Sequence, residues 1–344
     1  MKTRTQKILI IRFSSIGDIV LTTPVIRRLR LQLGAEVHFL TKQSFQPVLV
    51  ANPYLHKIYT IQKKVNEVLP ALKKEKYDVI IDLHNNLRSW QVKLNLGVKN
   101  YTFDKLNFEK WLMVNFKINR LPNIHIVDRY LATVKSLGII NDGKGLDYFI
   151  PENDELIMNN ETLRSLSITP SPHHPITLSP FITFVIGAAH ATKRLPTEKI
   201  ISICNKIQVP IILLGGPEDA ERGEVIAKAA GNHVINACGK LTLNQSASVV
   251  QQAWKVITHD TGMMHIAAAF NKDMISVWGN TIPEFGMYPY YSAGENRNIT
   301  LEVKGLACRP CSKIGYEKCP QGHFKCMKDI GENEFGGFTS TLDD

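Results

Sequence analysis

The chain has 344 residues, 44% apolar and 21% charged, the composition of a folded globular protein with room for two domains. No apolar run approaches the ~20 residues that span a bilayer. The basic start, Met1 to Lys7, leads into only Ile8 to Ile11, too short for a signal-peptide core, so the chain is expected to be cytoplasmic.

The net charge of +10 is unevenly divided: residues 1–140 hold 23 Lys/Arg against 9 Asp/Glu, and residues 141–344 hold 18 against 22. The basic first part suits a polyanionic partner: nucleic acid, an anionic membrane or a phosphorylated glycolipid.

Lys7 to Arg12 reads as a central parallel strand and Phe13 to Asp18 as a loop. A helix is predicted over Ile19 to Leu33, closed by Gly34, with Pro24 in its first turns or marking a small break. Strands at Glu36–Leu40, Lys57–Ile61 and Asp78–Leu83 alternate with helices at Ser44–Ala51 and Val65–Lys76. Such alternation gives an α/β fold with a parallel, doubly wound sheet.

The first loop has one glycine, Gly17, so the Gly-x-Gly-x-x-Gly fingerprint of dinucleotide-binding dehydrogenases is absent. It offers instead Ser14, Ser15 and Asp18 beyond the carboxyl end of a strand, where α/β sheets place ligands. Asp18 is either a helix-start acid or a general base. His84 to Ser89, with Arg88, is a second polar strand-end loop. Phe103, Phe108, Trp111 and Phe116 then interleave with Lys105, Lys110 and Lys117 at a spacing that is not cleanly helical. Core packing is the expected role of these rings, with a membrane or lipid-linked acceptor surface as the alternative.

The turn cluster Asn141 to Gly145 and the prolines 170, 172, 175 and 180 mark a change of character. It divides the chain into domains 1–170 and 171–330, with a polar tail, 331–344, expected to be disordered.

The second domain repeats the strand–helix alternation. Phe181 to Ile186 is a strand, followed by a loop with Thr192, Lys193 and Arg194, two cations suited to a diphosphate. After the strand Ile211–Leu214 come Gly215, Gly216 and Glu218, whose acid would accept ribose hydroxyls. The strand Trp254–Thr258 runs through His259-Asp-Thr-Gly262 into a helix, Met263 to Phe270, capped by Asp260 or Thr261. Its free amides and dipole form a phosphate site. Asp260 and His265 would hydrogen-bond sugar hydroxyls. Three such loops at successive strand ends describe a nucleotide-sugar site.

These motifs have a known counterpart. Arg12-Phe-Ser-Ser-Ile-Gly-Asp18, Lys193-Arg-Leu-Pro196, Gly215-Gly-Pro-Glu218, Asp260-Thr-Gly-Met-Met-His265 and Trp278-Gly-Asn-Thr281 together resemble the ADP-heptose:lipopolysaccharide heptosyltransferases of glycosyltransferase family 9. The resemblance runs over roughly residues 7 to 330. It implies a GT-B fold, two Rossmann-like doubly wound domains facing a central cleft, with the acceptor on the first and the donor on the second. It also implies inverting transfer with no cofactor and no tightly bound metal; the Asp-x-Asp motif of metal-dependent transferases is absent.

By that resemblance Asp18 is the general base, and Lys193 neutralises the leaving diphosphate with the amides of Thr261 and Gly262. Thr192, Arg194, Gly215, Glu218, Asp260, Met264 and His265 complete the donor side. Ser14, Ser15, Gly17 and Arg88 serve the acceptor. The implied partners are ADP-heptose and a phosphorylated lipopolysaccharide core, reached by peripheral contact at the cytoplasmic face of the inner membrane. Leu195 stands where the family often has Trp.

Two alternatives keep other classes open. One is a transferase or epimerase of the same fold that uses another nucleotide sugar. The other is a nucleic-acid-binding protein using the basic half, though no RRM, KH or helix-turn-helix signature is present and no nucleic acid is expected.

Cys204 and Cys238 stand singly, whereas Cys308, Cys311, Cys319 and Cys326 crowd together with His323 between the last two. The first pair has zinc-site spacing, while the later spacings fit no standard zinc module. Both structural zinc ligands and reduced free thiols are compatible with the pattern.

Overall fold

The computed structural model describes residues 5–159, 161–162 and 180–339. They form two compact units: Met1–Asn107 with Pro122–Pro151 and Tyr290–Glu295, and Phe108–Leu121 with Glu152–Pro289 and Asn296–Asp344.

The first unit is built on five parallel strands, β1 (Lys7–Ile11), β2 (Glu36–Lys42), β3 (Lys57–Ile61), β4 (Val79–Asp82) and β5 (Lys99–Thr102), in the order β3-β2-β1-β4-β5. β1 is central because it is apolar on both faces; Ile8 pairs with Val37 of β2 on one side and Val79 of β4 on the other.

The single predicted helix after β1 is two helices, α1 (Ile16–Val20) and α2 (Thr23–Leu33). Pro24 explains the break: its ring would meet the carbonyl of Val20, so α1 must end there. Thr22 and Thr23 donate their hydroxyls to the carbonyls of Ile19 and Val20, each at 2.7 Å. Gly34 closes α2 at φ 61°, as expected. The predicted Val65–Lys76 helix likewise divides, into a 3₁₀ turn (Val65–Glu67) and α3 (Leu69–Glu75), and Ser44–Ala51 contracts to a 3₁₀ turn over Gln43–Val48.

Further on come α4 (Leu87–Leu96), α5 (Asn107–Phe116) and α6 (Ile126–Val134). α5 corrects the sequence reading twice. It is a helix, and none of its residues is buried; Phe103 before it is the ring that enters the core. Phe108 stacks on Trp111 at 6.2 Å and Trp111 meets Phe116 edge-on at 5.2 Å, so the rings pack on one another.

The second unit has six parallel strands, β6 (Ile182–Val185), β7 (Ile211–Leu214), β8 (Val234–Asn236), β9 (Lys255–His259), β10 (Asp273–Trp278) and β11 (Asn298–Glu302), in the order β11-β10-β9-β6-β7-β8. Its helices are α7 (Thr197–Cys204), α8 (Ala220–Ala230), α9 (Leu243–Gln252), α10 (Gly262–Ala269), α11 (Lys325–Lys328) and α12 (Asn333–Thr339).

The change of unit comes near residue 151, not 170: Leu156 and Met158 already donate backbone N–H groups to Ser248 and Gln252 of α9, at 2.9 and 3.0 Å. Nor is the division a single cut. Ala293 donates to the Gly143 carbonyl at 2.7 Å, returning Tyr290–Glu295 to the first unit. Prolines 170, 172 and 175 lie outside the described residues.

The tail reading is corrected as well. Asn333–Thr339 is helical, and Phe335 and Phe338 join the core of the second unit. Two aromatic residues on one short helix carry enough apolar area to hold it down. Among the described residues no helix is long and apolar enough to cross a membrane.

Candidate functional site

Strand order locates the sites before any side chain is considered. In a doubly wound sheet the crevice opens at the carboxyl ends of the two strands where the winding reverses. That point lies between β1 and β4 in the first unit and between β6 and β9 in the second.

Beyond β1, the buried Arg12 organises the loop. Its Nε donates to the Ser14 carbonyl at 2.7 Å, its Nη1 to the Leu83 carbonyl at 2.6 Å and the Tyr130 hydroxyl at 3.0 Å, and its Nη2 pairs with Asp18 Oδ1 at 2.6 Å. Burial works against the Arg12 charge, yet the neighbouring Asp18 and Tyr130 outweigh it and raise its pKa.

The second oxygen of Asp18 accepts from Ser15 N–H at 3.1 Å and Ser15 Oγ–H at 2.7 Å, so the carboxylate is both a capping acid and a group fixed at the switch point. Gly17 is buried within α1, so it is no open loop glycine. Ser14 and Ser15 stay accessible, and Arg88 is exposed in the first turn of α4.

Sequence reasoning did not single out His84. It follows β4, packs edge-on against Phe13 at 5.3 Å, and leaves its buried Nδ1 without a hydrogen-bond partner. Burial and then the charges of Arg12 and Lys105 lower its pKa to about 3, so the ring is neutral at pH 7.

In the second unit the loops after β6, β9 and β10 converge on one carboxylate. Asp260 Oδ2 accepts from Lys193 Nζ at 2.5 Å and from Thr281 Oγ1 at 2.8 Å. Thr261 is the N-cap of α10, and its own side chain makes no capping bond. A cation and the start of a helix thus sit beside the same residue pair, Asp260 and Thr261.

The glycines after β7 serve a residue the sequence reading passed over. The buried Asp219 accepts from Gly216 N–H at 3.2 Å, and a Cβ on Gly187 or Gly215 would lie 2.3 or 2.9 Å from its Oδ2. Glu218, the predicted ribose acid, is exposed and lies over Gly216, where a Cβ would meet it at 2.3 Å. Asp219 pairs with Arg194 Nη1 at 3.4 Å, and Arg194 Nε donates to the Ala188 carbonyl at 2.7 Å. Arg194 therefore ties the loop together as it stands.

Thr192 is buried and exchanges hydrogen bonds with Tyr316, while Met264 and His265 are buried in α10. These three support the site from within.

Asn280 belongs to the Trp278–Thr281 motif but was given no role of its own there. It is 1% exposed, and neither its Oδ1 nor its Nδ2 has a hydrogen-bond partner. An unpaired buried amide costs on the order of 1–3 kcal/mol. It precedes Thr281, which holds Asp260.

As for metals, Glu36, His38 and Glu75 bring their ligand atoms within 4.8 Å of one another. Lys7 and Lys57 already occupy the carboxylates, with Lys7 2.7 Å and Lys57 2.8 Å from Glu75, so this is an ion-pair network at the strands' amino ends.

The family model of glycosyltransferase family 9 (heptosyltransferase) matches residues 65–316. The chain is similar to lipopolysaccharide heptosyltransferase 1 of Campylobacter coli, 25% identical over 300 residues, covering 80% of this chain and 84% of that one. It is similar to lipooligosaccharide heptosyltransferase 2 of Haemophilus influenzae, 24% identical over 297 residues with 81% and 85% covered.

Among solved structures, a family 9 glycosyltransferase from Veillonella parvula superposes with a TM-score of 0.76 at 22% identity, covering 99% of this chain and 98% of that one. The ADP-heptose heptosyltransferase II of Escherichia coli gives 0.71 at 18% identity with 97% of both covered. These neighbours share the fold, two doubly wound domains of GT-B type. The chain belongs to glycosyltransferase family 9, the heptosyltransferases.

Proposed function

We propose that the chain moves a heptose from ADP-heptose to the phosphorylated inner core of lipopolysaccharide, inverting the anomeric centre. The observation that carries this reading is the meeting of Lys193, Asp260 and Thr281 beside the uncapped start of α10. A diphosphate leaving group needs a cation and aligned donors where its charge grows, and these are such groups. The names of the relatives support the donor and acceptor: one is an ADP-heptose enzyme and the others act on lipopolysaccharide or lipooligosaccharide.

In this reading Asp18 takes the proton of the acceptor hydroxyl, and the oxygen attacks the anomeric carbon. The bond to the diphosphate breaks, and its electron pair passes to the phosphate held by Lys193 and the amides of Thr261 and Gly262. Arg12 and Ser15 keep the Asp18 carboxylate in one orientation. Asp260 positions Lys193, and Asn280 supplies a polar contact for the donor.

Peripheral contact with an anionic membrane is part of the same proposal. On α4, Leu87, Trp90 and Leu94 lie at helical spacing on one face and are 85%, 57% and 61% exposed. Together with the basic first part of the chain, this stripe fits an interfacial surface.

The test is transfer itself. Purified protein is offered ADP-heptose, GDP-mannose or UDP-glucose with heptose-less lipopolysaccharide or with core already carrying heptose, and the glycolipid is weighed by mass spectrometry. A gain of a single heptose residue with ADP-heptose alone is expected. Consumption of another nucleotide sugar in its place, with ADP-heptose untouched, would sink the donor assignment.

A further inference from the structure

One stretch whose sequence stands out has no part in the proposed transfer: the aromatic and basic run from Lys105 to Arg120. It contains α5, and Phe108–Leu121 belongs to the second unit. No residue of α5 is buried, and Phe108, Trp111 and Phe116 are 61%, 47% and 58% exposed. Ile118, just past the helix, is exposed as well. Because Phe108 stacks on Trp111 and Trp111 meets Phe116 edge-on, the three rings make one continuous apolar patch.

Polar contacts fix the end of this helix. Lys117 Nζ donates to the Val114 carbonyl at 2.7 Å and to the carbonyls of Cys308 and Pro310 at 3.2 and 2.7 Å. Asn115 Nδ2 donates to the Trp111 carbonyl at 2.9 Å. The rings are thus held out on a fastened support.

A continuous apolar patch of this kind marks a surface that meets something other than water. Charge tells what it meets. Lys105, Lys110, Lys117 and Arg120 lie among the rings, against the single acid Glu109. A second copy docked about a two-fold axis would set these cations against their own equivalents. The centre of a protein interface is also poor in lysine. Rings interleaved with lysine and arginine are instead the composition that settles at a bilayer surface. The rings enter the boundary between headgroups and acyl chains, and the cations stay with the anionic headgroups.

We infer that Phe108, Trp111, Phe116 and Ile118 insert into an anionic phospholipid bilayer, with Lys110 and Arg120 at its headgroups. The inference deepens the peripheral contact proposed above by adding a foothold on the second unit, whereas α4 belongs to the first.

The test uses the full chain and vesicles of equal parts phosphatidylglycerol and phosphatidylcholine. Neither donor nor acceptor is present, so a failure of heptosyl transfer leaves the result unaffected. Trp90→Phe silences the α4 indole, and quenching by bromine-labelled acyl chains then reports on Trp111. Quenching is expected in Trp90→Phe and should vanish in Trp90→Phe/Trp111→Phe, which serves as the blank. Phe108→Ser/Trp111→Ser should lower vesicle affinity by about tenfold or more at an unchanged melting temperature. Arg120→Gln should cost about fivefold on these vesicles and leave binding to phosphatidylcholine alone unchanged.

An unquenched Trp111 in vesicle-bound Trp90→Phe overturns the insertion, as does a wild-type chain that does not bind these vesicles. A serine variant that keeps its vesicle affinity but loses a dimer in light scattering assigns the patch to a second copy and overturns it too. Should that variant melt early, the quenching pair answers alone.

Discussion

Replacing Lys193 by Ala puts the donor site to its most direct test. In the ligand-free chain Lys193 Nζ lies 2.5 Å from Asp260 Oδ2, and the two side chains are 16% and 11% exposed. Removing the lysine leaves that carboxylate with the Thr281 hydroxyl at 2.8 Å. A partly buried charge so stranded costs about 1–3 kcal/mol, and the melting temperature should fall accordingly.

The effect on ADP is separate. A charge-assisted hydrogen bond to phosphate is worth about 1.5–3 kcal/mol, so Kd should rise by roughly 10- to 150-fold. The double variant Lys193→Ala/Asp260→Asn tells the two effects apart, because it removes the stranded charge without restoring the cation. It should regain most of the lost melting temperature. It should also regain the share of affinity that Asp260 repulsion takes away, and remain weaker than wild type. Calorimetric titration with ADP and a thermal melt read both quantities. If Lys193→Ala binds ADP as wild type does, or the double variant binds it equally tightly, the lysine does not touch the diphosphate and the proposed role is wrong.

Other perturbations follow from the same geometry. Asp18→Asn should cut transfer by about 10²- to 10⁴-fold while leaving ADP affinity unchanged, as steady-state rates and calorimetry together would show. Asn280→Ala removes a buried amide without partners, so the ligand-free melting temperature should hold or rise while the ADP-induced rise shrinks; a large loss of stability without ligand would refute its assignment to the donor. Trp90→Glu should weaken cosedimentation with anionic phospholipid vesicles and leave the melt unchanged; undiminished binding would remove α4 from the membrane surface.

Acid should destabilise the second unit through His259. The ring is fully buried, and burial, with Arg222 and Arg194 adding to it, lowers its pKa to about 3. A lowered histidine pKa means that the unfolded chain takes up the proton first. The stabilisation is therefore full above the unfolded pKa near 6.5 and drains away as pH falls toward 3, by about 2 kcal/mol at pH 5. Thermal melts from pH 7 to 5 should show the slope, and His259→Asn should flatten it.

What was legible in the sequence was local. β1, with apolar residues throughout, and the polar loops after β1, β6 and β9 are set by composition and by turn chemistry, and they lie where the order of elements put them. What was hidden depended on distant neighbours. After β7 the sequence pointed to Glu218, but the acid that fills the space beside Gly187 and Gly215 is Asp219, next to it. Asn280 is notable only because nothing around it offers a partner, which no pattern of residue types records. The rings of α5 look like core residues in composition, and only the fold reveals that they pack on one another at the surface. The helix at 333–339 was missed because its glycines and acids mask the two phenylalanines that anchor it.

The pairing of Lys193 with Asp260 bears on why the excess of basic residues lies in the first part of the chain. A lone lysine at a helix start would attract any small anion. With Asp260 on its ammonium the proposed donor site holds a paired lysine at rest, and the second part of the chain is net acidic. Only a ligand that supplies both phosphate for the α10 amides and hydroxyls for the remaining polar groups can compete with that carboxylate for the lysine. Discrimination then comes from matching several groups at once, not from charge alone. The first part of the chain has the opposite balance, a net positive charge of the kind that attracts a large anion with little demand on shape. The acceptor proposed here is such an anion, large and phosphorylated. Raising the salt concentration should therefore weaken acceptor use far more than ADP binding, and equal salt sensitivity of the two would contradict this division of roles.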